Sequence, residues 1–254
     1  MNAGLEFYLR SRTGAEDLAE APRKELDTKR LLEDVTRSAN ANGVTLYAVF
    51  PGAIEDLEKY RLEVVEGVHD HWIRPEEGKW TYTYHKRLFD YQVQEDLASG
   101  GEGPFASVPQ MDYLVEKLSN VPYSRRAQAI TWKVWEDNDC YDPPRLQSIW
   151  ARITEEAGER FLSMNVRFRS NDAYKAAFMN IFALVQLQRL IAEKVSASTG
   201  KAVRVGRYCH LADSFHIYGS YFREFEGRFL GALSKRTFEQ RTMQLEDIRD
   251  IMDA

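Results

Sequence analysis

The chain has 254 residues, a formal net charge of -5, and 44% hydrophobic, 29% charged and 12% aromatic content. That balance suits one large soluble domain with a sizeable aromatic core, and its acidic sign argues against broad nucleic-acid binding, which needs a basic surface. The two cysteines, Cys140 and Cys209, form no CxxC pair, residues 1–12 carry no apolar leader, and no run approaches the roughly 20 apolar residues of a membrane helix. The expectation is therefore a cytoplasmic, reducing location with no metal site and no membrane partner.

Residues 24–42 place Leu26, Leu31, Leu32 and Val35 at helical spacing, and Gly43 ends the helix they predict. Residues 44–50 are rich in β-branched and aromatic types and predict a strand. The stretch 97–104, with Gly100, Gly101 and Gly103, predicts a flexible loop. A helix follows over 110–120, stopped by Pro122, and then a strand over 127–132. Residues 161–168 give the clearest strand, because Leu162, Met164, Val166 and Phe168 alternate with polar neighbours. A helix over 172–195 has so many apolar positions that burial on most sides is expected. A strand within 201–218 and a short helix over 245–252 complete the chain. The fold class is α+β, a mixed sheet packed against one long central helix in a single domain, 1–254.

Three clusters carry chemistry. Arg125-Arg126 follows Tyr123-Ser124 at a helix-to-strand turn; Arg169-Ser170-Asn171-Asp172 joins the clearest strand to the long helix; His216-Ile217-Tyr218 ends a strand. Three arginines and a serine hydroxyl suit a phosphate monoester, since the guanidinium fork matches phosphate oxygens and stays charged. A helix opening just after Arg169-Ser170 would add backbone N–H groups. The plainer readings are a solvated arginine turn, a helix N-cap at residues 170–172, and a polar strand edge at His216 and Tyr218.

These motifs, in this order and with Asn180 further along the helix, resemble signatures of the thymidylate synthase and deoxycytidylate hydroxymethylase family. The wording Asp142-Pro143-Pro144-Arg145-Leu146-Gln147 and Arg169-Ser170-Asn171-Asp172 is closer to its archaeal and hydroxymethylase branches. Tyr84, within Tyr82-Thr83-Tyr84-His85, matches the family's Tyr-Gly segment. The resemblance covers residues 110–229 and that patch. It implies a homodimer through the sheet, with Arg125 and Arg126 reaching the partner's nucleotide phosphate while Arg169 and Ser170 hold the phosphate of their own subunit. It further implies that Asp172 contacts base and folate, that Asn180 reads the pyrimidine edge, and that His216 and Tyr218 bind the sugar. The substrate implied is a nucleoside 5′-monophosphate and the co-substrate 5,10-methylenetetrahydrofolate or a related pterin.

One departure bears on the reaction. The family's nucleophilic cysteine falls nineteen residues after the second arginine of the pair, and that position here is Arg145. An arginine has no lone pair to add to a pyrimidine and cannot replace a thiolate. Phe168 also stands where the family has glutamine, and the closing segment is not recognisable in residues 250–254. Three explanations are open: a substrate needing no thiolate, with Arg145 binding base or phosphate; Cys140 or Cys209 as substitute nucleophile; or a nucleotide-binding paralogue or engineered variant without catalysis.

Overall fold

In the computed structural model, which describes residues 6–7, 46–47, 54–94 and 105–237, the chain falls into two units. The larger, here the sheet unit, comprises the described parts of 59–170 and 182–214; the smaller comprises those of 1–58, 171–181 and 215–254. The expected helices at 24–42 and 245–252 and the loop at 97–104 lie outside the described residues, and of the expected strand at 44–50 only two residues are described.

In chain order, β1 (Glu6–Phe7) pairs antiparallel with β2 (Leu46–Tyr47). Helix α1 is Ile54–Glu66 and α2 is Tyr84–Phe89. Strands β3 (Tyr91–Gln94) and β4 (Phe105–Val108) form an antiparallel pair. Helix α3 (Gln110–Asn120) is followed by β5 (Gln128–Ile130), the single turn α4 (Val134–Asp137), β6 (Leu146–Glu156) and β7 (Glu159–Phe168). Then come β8 (Asn171–Asp172), the long helix α5 (Ala177–Thr199), β9 (Val203–Ala212) and β10 (Phe215–His216). A π-helical stretch, Phe225–Leu230, lies near the end of the described chain.

Strands β5, β6, β7 and β9 form the main sheet in that order; β7 and β9 run parallel and the other pairs antiparallel, so the sheet is mixed as expected. The β6–β7 hairpin closes through Ala157 (φ 52°) and Gly158 (φ 81°), the two positive φ values that a two-residue turn needs to match strand twist. Alternation puts Leu162, Met164, Val166 and Phe168 on the inner face. There they join Ile149, Ala151 and Ile153 of β6, Met111, Leu114 and Leu118 of α3, and Ala183, Leu184, Leu187, Ile191 and Val195 of α5 in one core. Each fully buried aliphatic side chain of this kind contributes about 1.5 to 3 kcal/mol.

Where β7 and β9 slip register beyond Leu162, Gln188 of α5 donates from Nε2 to the carbonyls of Leu162 (2.6 Å) and Arg207 (3.2 Å). This buried amide satisfies backbone that the irregular ladder leaves over. Gly206 is required beside it, because a Cβ there would stand 2.9 Å from the Leu162 carbonyl oxygen.

The long helix begins five residues later than the pattern suggests. Asp172 Oδ1 accepts the N–H groups of Tyr174 (2.9 Å) and Lys175 (3.2 Å), which builds a separate turn before Ala177. At its other end no breaker occurs until Gly200, in the left-handed region at φ 66°, so the helix continues to Thr199. The expected strand at 127–132 is confined to 128–130. The strand expected within 201–218 ends at Ala212, and His216 lies instead on the separate β10, which pairs parallel with β8.

Candidate active site

Arg145 lies on the turn that feeds β6, and that turn is held from several directions within the sheet unit. Arg169 donates from Nη2 to the Pro143 carbonyl (2.7 Å) and from Nε to that of Pro144 (3.0 Å), while its own N–H bonds the Arg145 carbonyl (2.9 Å). Gln147 Nε2 also donates to the Pro144 carbonyl (2.9 Å). The Leu146 N–H donates to Tyr84 Oη (3.2 Å), and Thr131 donates its hydroxyl to the Leu146 carbonyl. Consecutive prolines leave Pro143 and Pro144 no N–H of their own, so side chains supply the restraint.

The Arg145 guanidinium meets Asp142 Oδ1 at 2.9 Å, an ion pair within the turn. Tyr84 lies with its ring 5.9 Å from that of Tyr82 and edge-on to Phe168 at 6.4 Å. Thr83 orients this strip by capping α2: its Oγ1 accepts the Lys86 N–H at 3.0 Å. Burial raises the pKa of Tyr84, against the opposing pull of the Leu146 N–H and the Arg145 charge. Burial raises Tyr82 further, with the Tyr84 and Asp142 charges adding to it. Tyr60 of α1 is raised as well, first by burial and then by Tyr84, while Arg145 pulls it down. Tyr60, Tyr82 and Tyr84, which all feel the Arg145 charge, are therefore neutral phenols.

A buried scaffold lies behind the turn. Arg87 and Asp137 pair bidentately at 2.8 and 3.2 Å, and Arg87 also donates to the Thr131 carbonyl at 3.1 Å. On the inner face, Phe168 stacks on His210 at 4.7 Å, and His210 Nδ1 lies 3.0 Å from Tyr208 Oη. Burial lowers the pKa of His210 to about 4. Phe168, where a glutamine was anticipated, thus joins Tyr84 to the core by ring contacts alone.

Arg125 and Arg126 follow α3 on an exposed turn, with the Arg126 N–H bonded to Ser124 Oγ (3.2 Å) and the Arg125 carbonyl accepting from Trp150 Nε1 (3.2 Å). Among the described residues no hydrogen bond or ion pair joins either of them to Arg169 or Ser170. Ser170 is half-buried at the end of the β7 connection.

In the smaller unit, Asp172 spends Oδ1 on the backbone of a separate turn before Ala177 and does not cap the long helix as the plainer reading had it. The turn also removes the helix N-terminus expected directly after Arg169-Ser170. Asn180 is buried and donates from Nδ2 to Asn171 Oδ1 at 3.1 Å. His216 and Tyr218 do share a side, their rings edge to face at 4.8 Å. Tyr218 is exposed, and His216 Nδ1 is buried without a hydrogen-bond partner among the described residues.

Neither thiol lies in the Arg145 turn itself: Cys140 Sγ is 3.8 Å from Thr81 Oγ1, and Cys209 is paired in register with Asn165 across β7 and β9. No group of three or more His, Cys, Asp or Glu side chains among the described residues is arranged to hold a metal. Sequence reasoning quoted Tyr82, Asp142 and Gln147 as motif text without giving them a role beside Arg145, and it missed Tyr60. The i, i+2 spacing of Tyr82 and Tyr84 and the i, i+3, i+7 spacing of Leu57, Tyr60 and Val64 were the available signals.

The sequence profile of the thymidylate synthase family matches residues 53–253. A candidate thymidylate synthase of Methanocaldococcus jannaschii is 34% identical over 168 residues, covering 63% of this chain and 67% of that protein. One of Methanosarcina mazei is 28% identical over 161 residues, covering 63% of this chain and 62% of that protein. Thermostable thymidylate synthase A from Bacillus subtilis aligns at a TM-score of 0.46 and 24% identity, covering 68% of this chain and 61% of that one. The chain thus spans 62 to 67% of the length of these two curated relatives.

Proposed function

The chain belongs to the thymidylate synthase family, and from that premise we propose that it transfers a one-carbon unit, as methyl or hydroxymethyl, from 5,10-methylenetetrahydrofolate to the base of a nucleoside 5′-monophosphate without a cysteine nucleophile. The observation that carries this reading is the family match, which spans every candidate residue from Tyr84 to Tyr218.

Arg169 gives Nε and Nη2 to the turn, and Nη1 is the donor for phosphate, together with the Ser170 hydroxyl. Arg125 and Arg126, exposed and with no ion pair among the described residues, serve the phosphate of a second copy, which makes the active protein a two-fold homodimer through the sheet. His216 Nδ1, buried and without a hydrogen-bond partner among the described residues, and the Tyr218 hydroxyl take the sugar. Asn180 is the candidate reader of the base edge, and Asp172, its Oδ1 held by two backbone N–H groups, is the candidate contact for base and pterin, as the family resemblance implies. The Tyr84 phenol, accepting from Leu146, keeps its own proton to donate.

We propose that Trp72 and Trp80 take the reduced pterin: both rings are exposed and meet edge to face at 5.3 Å, and Trp72 has one face stacked on His69 at 3.8 Å. Bound there, the co-substrate supplies a carbon at the formaldehyde oxidation level.

Incubation with each nucleoside monophosphate and labelled methylenetetrahydrofolate tests this reading, and label in a base is the expected result. A second reading, a nucleotide-binding dimer without catalysis, is favoured by Arg145 itself, a fixed cation paired with Asp142. Nucleotide binding with no label in any base would establish that second reading.

A further inference from the structure

The groups around the 143–147 turn are mostly donors. Arg145 carries a guanidinium that stays charged at any working pH. Tyr82 and Tyr84 bring phenols whose rings are 5.9 Å apart. Tyr84 Oη already accepts the Leu146 N–H at 3.2 Å, which leaves its proton to give. Burial keeps both phenols neutral. A carboxylate among the described residues stands with them: Asp142 Oδ1 lies 2.9 Å from Arg145 Nη2. Its side chain is 57% exposed, so water can take over the carboxylate at little cost when another anion reaches Arg145.

This donor set suits an oxyanion and is unsuited to adding an electron pair to carbon. A cysteine at this place would attack C6 of a pyrimidine in order to make C5 an enolate carbon. A pyrimidine that carries an ionised oxygen at C6 is an enolate already. It needs no thiolate, and the carbon a thiolate would attack is occupied. Resting on the one-carbon transfer read above, the geometry points to a nucleoside 5′-monophosphate with a 6-oxido pyrimidine as the substrate class, its oxyanion held by Arg145 in place of Asp142 with the Tyr84 hydroxyl donating beside it.

The test is calorimetric titration of the full chain with 6-hydroxyuridine 5′-monophosphate and with uridine 5′-monophosphate at neutral pH. The 6-hydroxy nucleotide is expected to bind about tenfold more tightly or better, the effect of one charge-assisted hydrogen bond. Arg145→Gln is expected to bring the ratio of affinities to within about twofold, because the neutral amide loses the charge-assisted contact. Asp142→Asn removes the competing carboxylate and is expected to raise the ratio. Thermal melting of each variant separates loss of contact from loss of fold. Equal affinities in the native chain, a preference that survives Arg145→Gln, or a ratio lowered by Asp142→Asn would each overturn the inference while leaving nucleotide binding intact. Binding of neither nucleotide would overturn this inference alone, since the one-carbon reading is tested separately by label transfer to each nucleoside monophosphate.

Discussion

Replacing Arg169 by methionine keeps most of the aliphatic stem and removes the guanidinium that fastens the Arg145 turn. The Pro143 carbonyl then loses its Nη2 donor at 2.7 Å, whereas the Pro144 carbonyl, losing Nε at 3.0 Å, retains Gln147 Nε2 at 2.9 Å. A charge-assisted hydrogen bond is worth about 1.5 to 3 kcal/mol. Because the side chain is half-buried and one acceptor keeps a donor, the expected loss of stability is about 2 kcal/mol. Urea unfolding measures this as a lowered midpoint at unchanged slope. Gln147→Met should cost less alone, and in the double variant the two changes should couple by about 0.5 kcal/mol or more, since both side chains share the Pro144 carbonyl. Nucleotide affinity should fall about tenfold or more through the lost phosphate donor. An Arg169→Met protein with native midpoint and native nucleotide affinity would refute both roles.

Three further outcomes follow from the same contacts. Asp137→Ala leaves the buried Arg87 with the half-exposed Glu136 (3.2 Å) as its carboxylate and should cost about 3 kcal/mol in urea unfolding, with Asp137→Asn costing less. Gly206→Ala forces a Cβ to within 2.9 Å of the Leu162 carbonyl and should cost about 1 to 3 kcal/mol; a neutral result would mean that β7 and β9 separate more freely than their register implies. His210 has a folded pKa of about 4 against 6.5 in an unfolded chain, so the neutral ring is favoured by folding. Its contribution is complete above pH 6.5 and is lost as the pH falls toward 4, about 3 kcal/mol in all. His210→Gln should flatten that part of the pH–stability profile, and an unchanged slope would show that another group titrates there.

Local patterns carried much of the fold. Helix 110–120 was legible because Met111, Leu114 and Leu118 repeat at helical spacing between Pro109 and Pro122, and β7 because its alternation is unbroken. Helix Ile54–Glu66 went unread because Glu55, Asp56, Glu58, Lys59, Arg61 and Glu63 surround the apolar positions that pack inward. The long helix was misplaced at its start because an aspartate that looks like an N-cap first builds a turn of its own.

The candidate site divides in the same way. Its candidate residues were taken from motif order, and the departure at Arg145 from its spacing to Arg126. The Arg169 clamp on Pro143 and Pro144 was not legible, because it joins residues 25 and 26 positions apart through backbone oxygens that every residue possesses. Tyr60 escaped for a related reason: a phenol inside a charged helix has no motif, and only the fold brings its field to Arg145.

The most direct test of one-carbon transfer without a thiolate is label transfer by a chain in which both Cys140 and Cys209 are replaced by serine. With labelled methylenetetrahydrofolate and the full set of nucleoside monophosphates, the account predicts label in a base at the rate of the native chain. Transfer by the native chain that disappears in the double serine variant, with fold and nucleotide binding retained, would contradict it.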